Sequence, residues 1–186
     1  MIQPRLALIR AKYNRVITFL RIKYLQALGL QVGNRTDLAK LVCTWPKSVK
    51  IGSDCTIQGN VRFHVAHPFS IENCIEVGDR VFIGQNCELI CVSKIIVGND
   101  TMIASNTTIV DVGHAIDPSK LINKQPILSK EIIIGEDVWI GTACIILKGV
   151  TIGKGSVIGA GSVVNKSIPE YEVWAGSPAR FIRKRD

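Results

Sequence analysis

Aliphatic residues recur at every sixth position along most of the chain, in four runs separated by breaks. The members are Ile51, Ile57, Phe63; Val77, Ile83, Leu89; Val97, Ile103, Ile109; and Ile134, Ile140, Ile146, Ile152, Ile158, Val164. A period of six matches neither helical periodicity nor the alternation of an ordinary strand. It is typical of a three-sided prism in which each side takes a short strand with one inward aliphatic side chain. The pattern therefore predicts an all-β, parallel β-helix.

Two further columns of the repeat support this register. The residue after the aliphatic position is often Gly, as at Gly98 and Gly141. We expect these glycines to supply backbone conformations that a Cβ forbids. The fifth position is small or β-branched and includes Cys55, Cys87 and Cys144, so these cysteines are predicted to fill the core.

The breaks in the period mark departures from the prism. Two breaks, after Phe63 and after Leu89, carry two extra residues each, whereas residues 110–132 have no repeat character. A long irregular excursion inside a compact repeat is typical of a functional segment. Before the first run, residues 30–49 are predicted to form an imperfect first coil, since Pro46 excludes a helix there. The β-helix is thus expected over 30–170.

Residues 1–28 are predicted to form a helix that ends at Gly29, so that 1–29 is a separate segment. Its apolar residues, such as Tyr13, Val16 and Leu20, fall on one arc of a helical wheel, with most basic residues outside that arc. Two interpretations stay open. The helix either rests on an anionic membrane surface or packs across the end of the β-helix.

The net charge of +8 on 186 residues is concentrated at the two ends of the chain. Residues 1–28 hold six bases and no acid, and 180–186 hold four bases against one acid. This distribution favours two local contacts and excludes a nucleic-acid-binding face. No apolar run is long enough to span a bilayer, and no secretory signal is present. We expect a cytoplasmic protein with reduced thiols.

Three stretches resemble the hexapeptide-repeat acyltransferases, in the branch of galactoside, maltose, nodulation-factor and exopolysaccharide O-acetyltransferases. They are IIGEDVWIGT at 133–142, IILKGVTIGKGSVIGAGSVVNKSIP at 145–169 and WAGSPARFIRKR at 174–185. The resemblance covers about 77–185 and implies a left-handed coil, acetyl-CoA as co-substrate, and a homotrimer with active sites between subunits. It also implies a saccharide or glycolipid acceptor. Residues 1–50 do not match the acceptor-binding region of the galactoside and maltose enzymes.

His114 is the candidate catalytic residue. A neutral imidazole is well suited to take a proton from an alcohol near neutral pH, and the resemblance places the family's catalytic histidine here. The alternative is a loop histidine without a role. A backbone N–H near Gly141 or Thr142 is the expected oxyanion donor.

Two pairs of polar residues are candidates for contact with the acceptor. Asp111 and Asp117 flank His114 and are placed to orient it, although Asp117 also begins a good turn sequence. Gln85 and Asn86 lie next to the position where the galactoside-type enzymes use an Asn.

The coenzyme is expected to contact residues that the resemblance matches to family positions or that suit a narrow groove. They are Trp139, Gly141, Thr142, Ala160, Asn165, Lys166, Arg180 and Arg183. The cations among them suit its phosphates. Ser177-Pro178 predicts a short helix over 178–185 within the tail 171–186. A solvated basic tail is the alternative for this segment.

The preferred function is acetyl-CoA-dependent O-acetylation of a saccharide hydroxyl, in surface polysaccharide or lipopolysaccharide assembly, without a metal. One alternative is a zinc enzyme like the γ-carbonic anhydrases, using His64, His67 and His114. However, Ser119 stands where those enzymes have a second histidine ligand. The other alternative is a non-catalytic β-helix scaffold.

Overall fold

The computed structural model describes residues 2–66 and 74–186. Helix α1 (Ile2–Ala27) precedes a three-sided prism of stacked coils, and each side of the prism is a mainly parallel sheet. Sheet 1 contains β1 (Gln31–Val32), β4 (Val49–Ile51), β7 (Cys74–Val77), β10 (Lys94–Val97), β15 (Ile132–Ile134) and β18 (Thr151–Ile152). Sheet 2 contains β2 (Asp37–Leu38), β5 (Thr56–Ile57), β8 (Phe82–Ile83), β11 (Met102–Ile103), β16 (Trp139–Ile140), β19 (Val157–Ile158), β21 (Glu172–Ala175) and β22 (Arg180–Lys184).

Sheet 3 contains β3 (Val42–Cys43), β6 (Arg62–Val65), β9 (Glu88–Cys91), β12 (Thr108–Val110), β17 (Ile145–Leu147) and β20 (Val163–Val164). A separate hairpin pairs β13 (Val112–His114) with β14 (Ile127–Ser129), and two short 3-10 helices cover Pro46–Ser48 and Ile122–Lys124. The chain passes from sheet 1 to sheet 2 to sheet 3 in each coil. The predicted all-β parallel β-helix, including its imperfect first coil, is confirmed.

The core of the prism consists of the aliphatic column that defines the repeat. All fifteen of its members are at most 4% exposed, and the strands stack in register, so that Ile103 lies between Ile83 and Ile140. Cys55, Cys87 and Cys144 are buried beside them. Burial raises the pKa of each of these thiols, which agrees with their predicted role as core residues.

The turns of the coil use a different position from the one predicted. Left-handed backbone conformations occur three residues after the aliphatic position, as at Asp54, Asn86 and Asp137. Gly98 and Gly141 have no positive φ; a Cβ on either would come within 2.6 Å of backbone in the next coil. The prediction that these glycines supply special backbone conformations was wrong, because close stacking of coils is what requires them.

Helix α1 packs on the prism through its last turns. Leu25 is buried together with Leu30 and covers the open end of the core. Tyr13, Val16 and Leu20, which belong to the predicted apolar arc, are 58–64% exposed. The helix therefore packs through a face other than this arc. No helix in the described part of the chain is long and apolar enough to cross a membrane.

The opposite end of the prism is closed by a hairpin, and the predicted helix over 178–185 was wrong. Residues Arg180–Lys184 form β22, which pairs antiparallel with β21. Pairing with β22 satisfies the backbone hydrogen bonds along the free edge of β21, and a short helix would leave them unpaired. Ala179, in the turn of this hairpin, is buried and donates its N–H to the carbonyl of Val163 at 2.8 Å.

Irregular segments gather along one edge of the prism, where the chain passes from sheet 3 to sheet 1. The 3-10 helix Pro46–Ser48, the turn after β9, and the excursion after β12 all fall between strands of these two sheets. Strand β7 follows β6 at the same edge, and residues 67–73 between them lie outside the described residues. The other two edges keep the regular turn with its left-handed residue, except in the first coil, where residues 39–41 have no positive φ. One edge is thereby available for functional insertions.

Candidate active site

His114 ends strand β13, at the start of the excursion from the sheet 3–1 edge. Its backbone pairs with Ile127 of β14, and the amide of Ala115 donates to the carbonyl of Pro126 at 3.1 Å. The His114 side chain is exposed. The structure therefore presents the imidazole on a paired strand and leaves it accessible to a substrate.

Asp111 lies at the root of this hairpin and is fully buried. Its carboxylate oxygens accept hydrogen bonds from the backbone N–H groups of Val92 and Ser93, each at 2.8 Å. Burial raises the pKa of Asp111, against the opposing effect of these hydrogen bonds. Asp111 is therefore not placed for the acceptor contact predicted for it, because both of its carboxylate oxygens accept hydrogen bonds inside the protein.

Asp117 and Gln125 organise the outer part of the excursion. Asp117 accepts from the backbone N–H of Ser119 at 2.9 Å and from its hydroxyl at 2.7 Å, and these bonds lower the pKa of the carboxyl. The buried Gln125 amide bonds the Asp117 N–H and carbonyl and the Lys120 carbonyl, at 2.7–3.0 Å. Asp117 thus forms the turn that its sequence indicated.

A second set of candidate residues lies along the sheet 2–3 edge. Gln85 and Asn86 stand in one coil; Thr142 and Ala160 stand in higher coils of the same edge, where the Gly161 amide donates to the Thr142 carbonyl at 2.8 Å. The Asn86 side chain is part of a ladder with Asn60 and Asn106, at 3.4 and 3.2 Å. These bonds give Asn86 a structural role at this edge.

The Gly141 amide is not available as an oxyanion donor, because it donates to the carbonyl of Ile158 at 2.8 Å. The neighbouring Thr142 is exposed. Of the two positions predicted for this role, only Thr142 remains a candidate.

A groove of about 560 Å³ on sheet 2 contains two of the candidate coenzyme contacts. Trp139, 54% exposed, and Arg183 line it together with the outward side chains of β11, β19 and β21. Arg180 lies on the same hairpin, opposite Ala175. The groove combines an apolar floor with the cations Arg183 and Arg185 and the carboxylates Asp100 and Asp137, and Arg185 is paired with Asp137 at 2.8 Å.

Asn165 and Lys166 follow β20 at the sheet 3–1 edge and are both exposed. The candidate residues of one chain therefore occupy three places: the sheet 3–1 edge with His114, the sheet 2–3 edge with Thr142, and the groove on sheet 2. Sheet 3 separates the first place from the second.

Two residues near the site were not indicated by the sequence pattern. Gln125 holds the excursion together, and Lys148 lies against the hairpin, with its Nζ 2.8 Å from where a Cβ on Gly113 would be. Their role depends on contacts between segments distant in sequence. Only the missing side chain at Gly113, which lets Lys148 approach, left a signal in the sequence.

The zinc alternative finds no ligand set in 2–66 and 74–186, where no group of three or more His, Cys, Asp or Glu side chains is placed to hold a metal. His64 lies on β6, His114 lies on the excursion, and Ser119 is bonded to Asp117. His67 is outside the described residues.

Two family models match the repeat. The bacterial transferase hexapeptide (six repeats) matches residues 131–166, and the hexapeptide repeat of succinyl-transferase matches 75–110. A comparison with curated proteins gives no significant match.

Solved structures show the same fold. A variant of AntD, an N-acyltransferase from Bacillus cereus, bound to dTDP-4-amino-4,6-dideoxyglucose and coenzyme A, is 23% identical; the alignment covers 88% of both chains with a TM-score of 0.75. The hexapeptide-repeat acetyltransferase VCA0836 from Vibrio cholerae is 27% identical, over 91% of this chain and 81% of its own, with a TM-score of 0.60. Galactoside acetyltransferase in complex with coenzyme A is 27% identical, over 89% and 70%, with a TM-score of 0.59. The chain belongs to the hexapeptide-repeat acyltransferases, which fold as left-handed parallel β-helices.

Proposed function

We propose that this acyltransferase moves the acetyl group of acetyl-CoA to a saccharide hydroxyl, with His114 as general base. The observation that carries the proposal is the exposed His114 imidazole on a paired hairpin of an acyltransferase fold. The imidazole takes the proton of the acceptor hydroxyl while the hydroxyl oxygen attacks the thioester carbonyl carbon. The carbon–sulfur bond then breaks, and coenzyme A leaves as a thiol once the proton has passed to its sulfur.

A saccharide acceptor, on a surface polysaccharide or lipopolysaccharide precursor, is supported by the structural neighbours. One of them is a galactoside acetyltransferase, and AntD is bound to an amino sugar nucleotide. Because AntD is an N-acyltransferase, an amine acceptor is tested beside the hydroxyl. The screen offers acetyl-CoA with nucleotide sugars, methyl glycosides and amino sugars, and mass spectrometry detects the gain of one acetyl group.

The role of His114 is tested by His114→Ala, with Lys124→Ala on the same excursion as a surface control. The expected loss in kcat is about 10²-fold or more, with acetyl-CoA binding retained and with the control at the wild-type rate. A wild-type kcat for His114→Ala contradicts the general-base assignment. If no acceptor in the screen is modified and calorimetry detects no acetyl-CoA binding, the scaffold alternative is favoured instead.

Coenzyme A is proposed to use the groove on sheet 2 and the nearby cations. Trp139 offers an exposed aromatic face, and Arg183 and Arg180 of β22 offer positive charge for phosphates. Arg183 is paired with the exposed Asp186, a contact that a phosphate can replace at small cost.

A homotrimer is proposed because one chain does not bring its candidate residues together. His114 lies at the sheet 3–1 edge, and Thr142 lies at the sheet 2–3 edge. The excursion also carries five large aliphatic side chains that are 46–81% exposed: Ile116, Leu121, Ile122, Ile127 and Leu128. An apolar surface of this kind is typical of an interface, and a second copy would cover it. Light scattering measures the oligomeric state at the concentrations used in the assay. A protein that is monomeric and active under those conditions contradicts the proposed homotrimer.

We also propose that the enzyme works in the cytoplasm against the anionic inner leaflet, through helix α1. Its exposed apolar residues Tyr13, Val16 and Leu20 lie between exposed bases such as Lys12 and Lys23. Flotation with phosphatidylglycerol vesicles tests the contact. The double variant Val16→Ser, Leu20→Ser is expected to lose flotation while keeping its fold, and flotation equal to wild type contradicts the membrane contact.

A further inference from the structure

The turn between β9 and β10 lacks the left-handed residue that the turns at the sheet 1–2 and sheet 2–3 edges use. At those two edges, the left-handed residue stands three positions after the buried aliphatic residue of the repeat, as at Asn86 and Asp100. No residue from Cys91 to Lys94 has a positive φ, so the N–H groups of this turn are directed differently. Two of them, from Val92 and Ser93, end on the carboxylate of Asp111 in the next coil.

The same residue joins the two ends of the excursion. Its backbone N–H donates to the Ile90 carbonyl at 3.2 Å, and its carbonyl accepts from the Lys130 N–H at 2.9 Å. Asp111 thus contacts the coil beneath, the start of β13 and the residue after β14. It is the point at which the hairpin that carries His114 is attached to the prism.

The contact uses both carboxyl oxygens of Asp111 as acceptors, an arrangement that favours the ionised form. Each of its two oxygens accepts one backbone N–H, so both must be acceptors at once. An asparagine presents one oxygen and one NH₂ group, and the NH₂ group would face an N–H donor. Buried donors that lose their acceptor are costly to leave unpaired, so the turn or the hairpin must move in such a variant.

We propose that Asp111 is a positioning residue for acyl transfer: its carboxylate fixes the orientation of the β13–β14 hairpin, and thereby of His114, through the Val92–Ser93 turn. Asp111 touches no substrate in this role, and the inference rests on the proposed function of His114. Reaction rates fall steeply when a catalytic group shifts, by about 10²-fold for a displacement of 1 Å.

The test compares Asp111→Asn with Asp79→Asn. Asp79 is a matched control, since its Oδ1 also accepts a backbone N–H of the coil beneath, from Ser53 at 2.7 Å, but at the sheet 1–2 edge. Two quantities are measured: the kcat and acetyl-CoA KM for thiol release, with methyl glycosides as acceptor, and backbone amide hydrogen exchange.

For Asp111→Asn we expect kcat to fall about tenfold or more with the acetyl-CoA KM within about twofold of wild type. Exchange should speed up at the Val92 and Ser93 amides and across β13 and β14. Asp79→Asn should keep the wild-type kcat and change exchange only near Ser53. A wild-type kcat or unchanged hairpin exchange for Asp111→Asn overturns the proposal.

Asp111→Ser guards against a variant that fails to fold, because a hydroxyl keeps one acceptor and can rotate away from the second donor. If both Asp111 variants unfold globally, the residue has a general stabilising role and the proposal fails. If the wild-type protein transfers no acetyl group, the proposed function fails, and hydrogen exchange still decides whether Asp111 anchors the hairpin.

Discussion

Gly98→Ala should destabilise the prism, because this glycine sits where two coils touch. A Cβ there would lie 2.6 Å from the carbonyl carbon and oxygen of Gly135, whereas ordinary contact starts at 3.4 Å. The coils would have to separate by about 0.8 Å at a point held by the 2.8 Å bond from the Gly98 N–H to the Ile134 carbonyl. Overpacking of this kind costs about 1–3 kcal/mol, which corresponds to a fall in Tm of roughly 3–10 °C for a chain of this size.

Gly59→Ala is the matched control. Nothing lies within 4 Å of a Cβ at Gly59, and its φ is not positive. Alanine there restricts the unfolded chain and should stabilise the protein by about 0.4–1 kcal/mol. Thermal unfolding followed by circular dichroism, at one protein concentration, compares the two variants. A Tm for Gly98→Ala equal to or above that of Gly59→Ala would refute the close-stacking explanation.

Three further predictions follow from burial and charge. Leu25→Ala should lower the free energy of unfolding by about 2–5 kcal/mol, because Leu25 closes the core, whereas Tyr13→Ala should change it by less than about 0.5 kcal/mol in urea titrations. Arg80 lowers the pKa of Asp100 through a hydrogen bond; this stabilisation is present above the unfolded-state pKa and is lost as the pH falls through the folded-state pKa. Arg80→Gln should therefore weaken the acid dependence of Tm. Burial raises the pKa of the Cys43 thiol to about 11, so a thiol reagent at pH 8 should label Cys43 more slowly in native than in urea-unfolded protein.

The repeat could be predicted from the sequence because each coil contributes the same local pattern to one shared core. A single aliphatic column, from Ile51 to Val164, fixes the register of the three sheets, and no distant contact is needed to see it. The burial of Cys55, Cys87 and Cys144 followed from the same column.

The errors occurred where a distant segment decides the local structure. The Ser177-Pro178 pair favours a helix locally, but the free edge of β21 recruits Arg180–Lys184 as a strand. The apolar arc of α1 left membrane contact and packing on the prism both open, and only the burial of Leu25 at the end of the prism shows which face packs. Asp111 was expected to orient His114 or to contact the acceptor. Coil stacking buries it against the Val92 and Ser93 amides, and these partners cannot be read from sequence spacing.

The separation of His114 from Thr142 explains why the active site is proposed to need more than one chain. Between the sheet 2–3 edge and the sheet 3–1 edge, the backbone runs from Thr142 through β17 to Lys148, a span of at most roughly 20 Å at the rise of a strand. A base must come within hydrogen-bonding distance of the hydroxyl that attacks the carbonyl. We therefore expect an acyl group held near Thr142 of one chain to lie beyond the reach of the imidazole of that same chain. A neighbouring chain whose His114 hairpin lies against the sheet 2–3 edge would close this gap and would cover the exposed aliphatic side chains of the excursion.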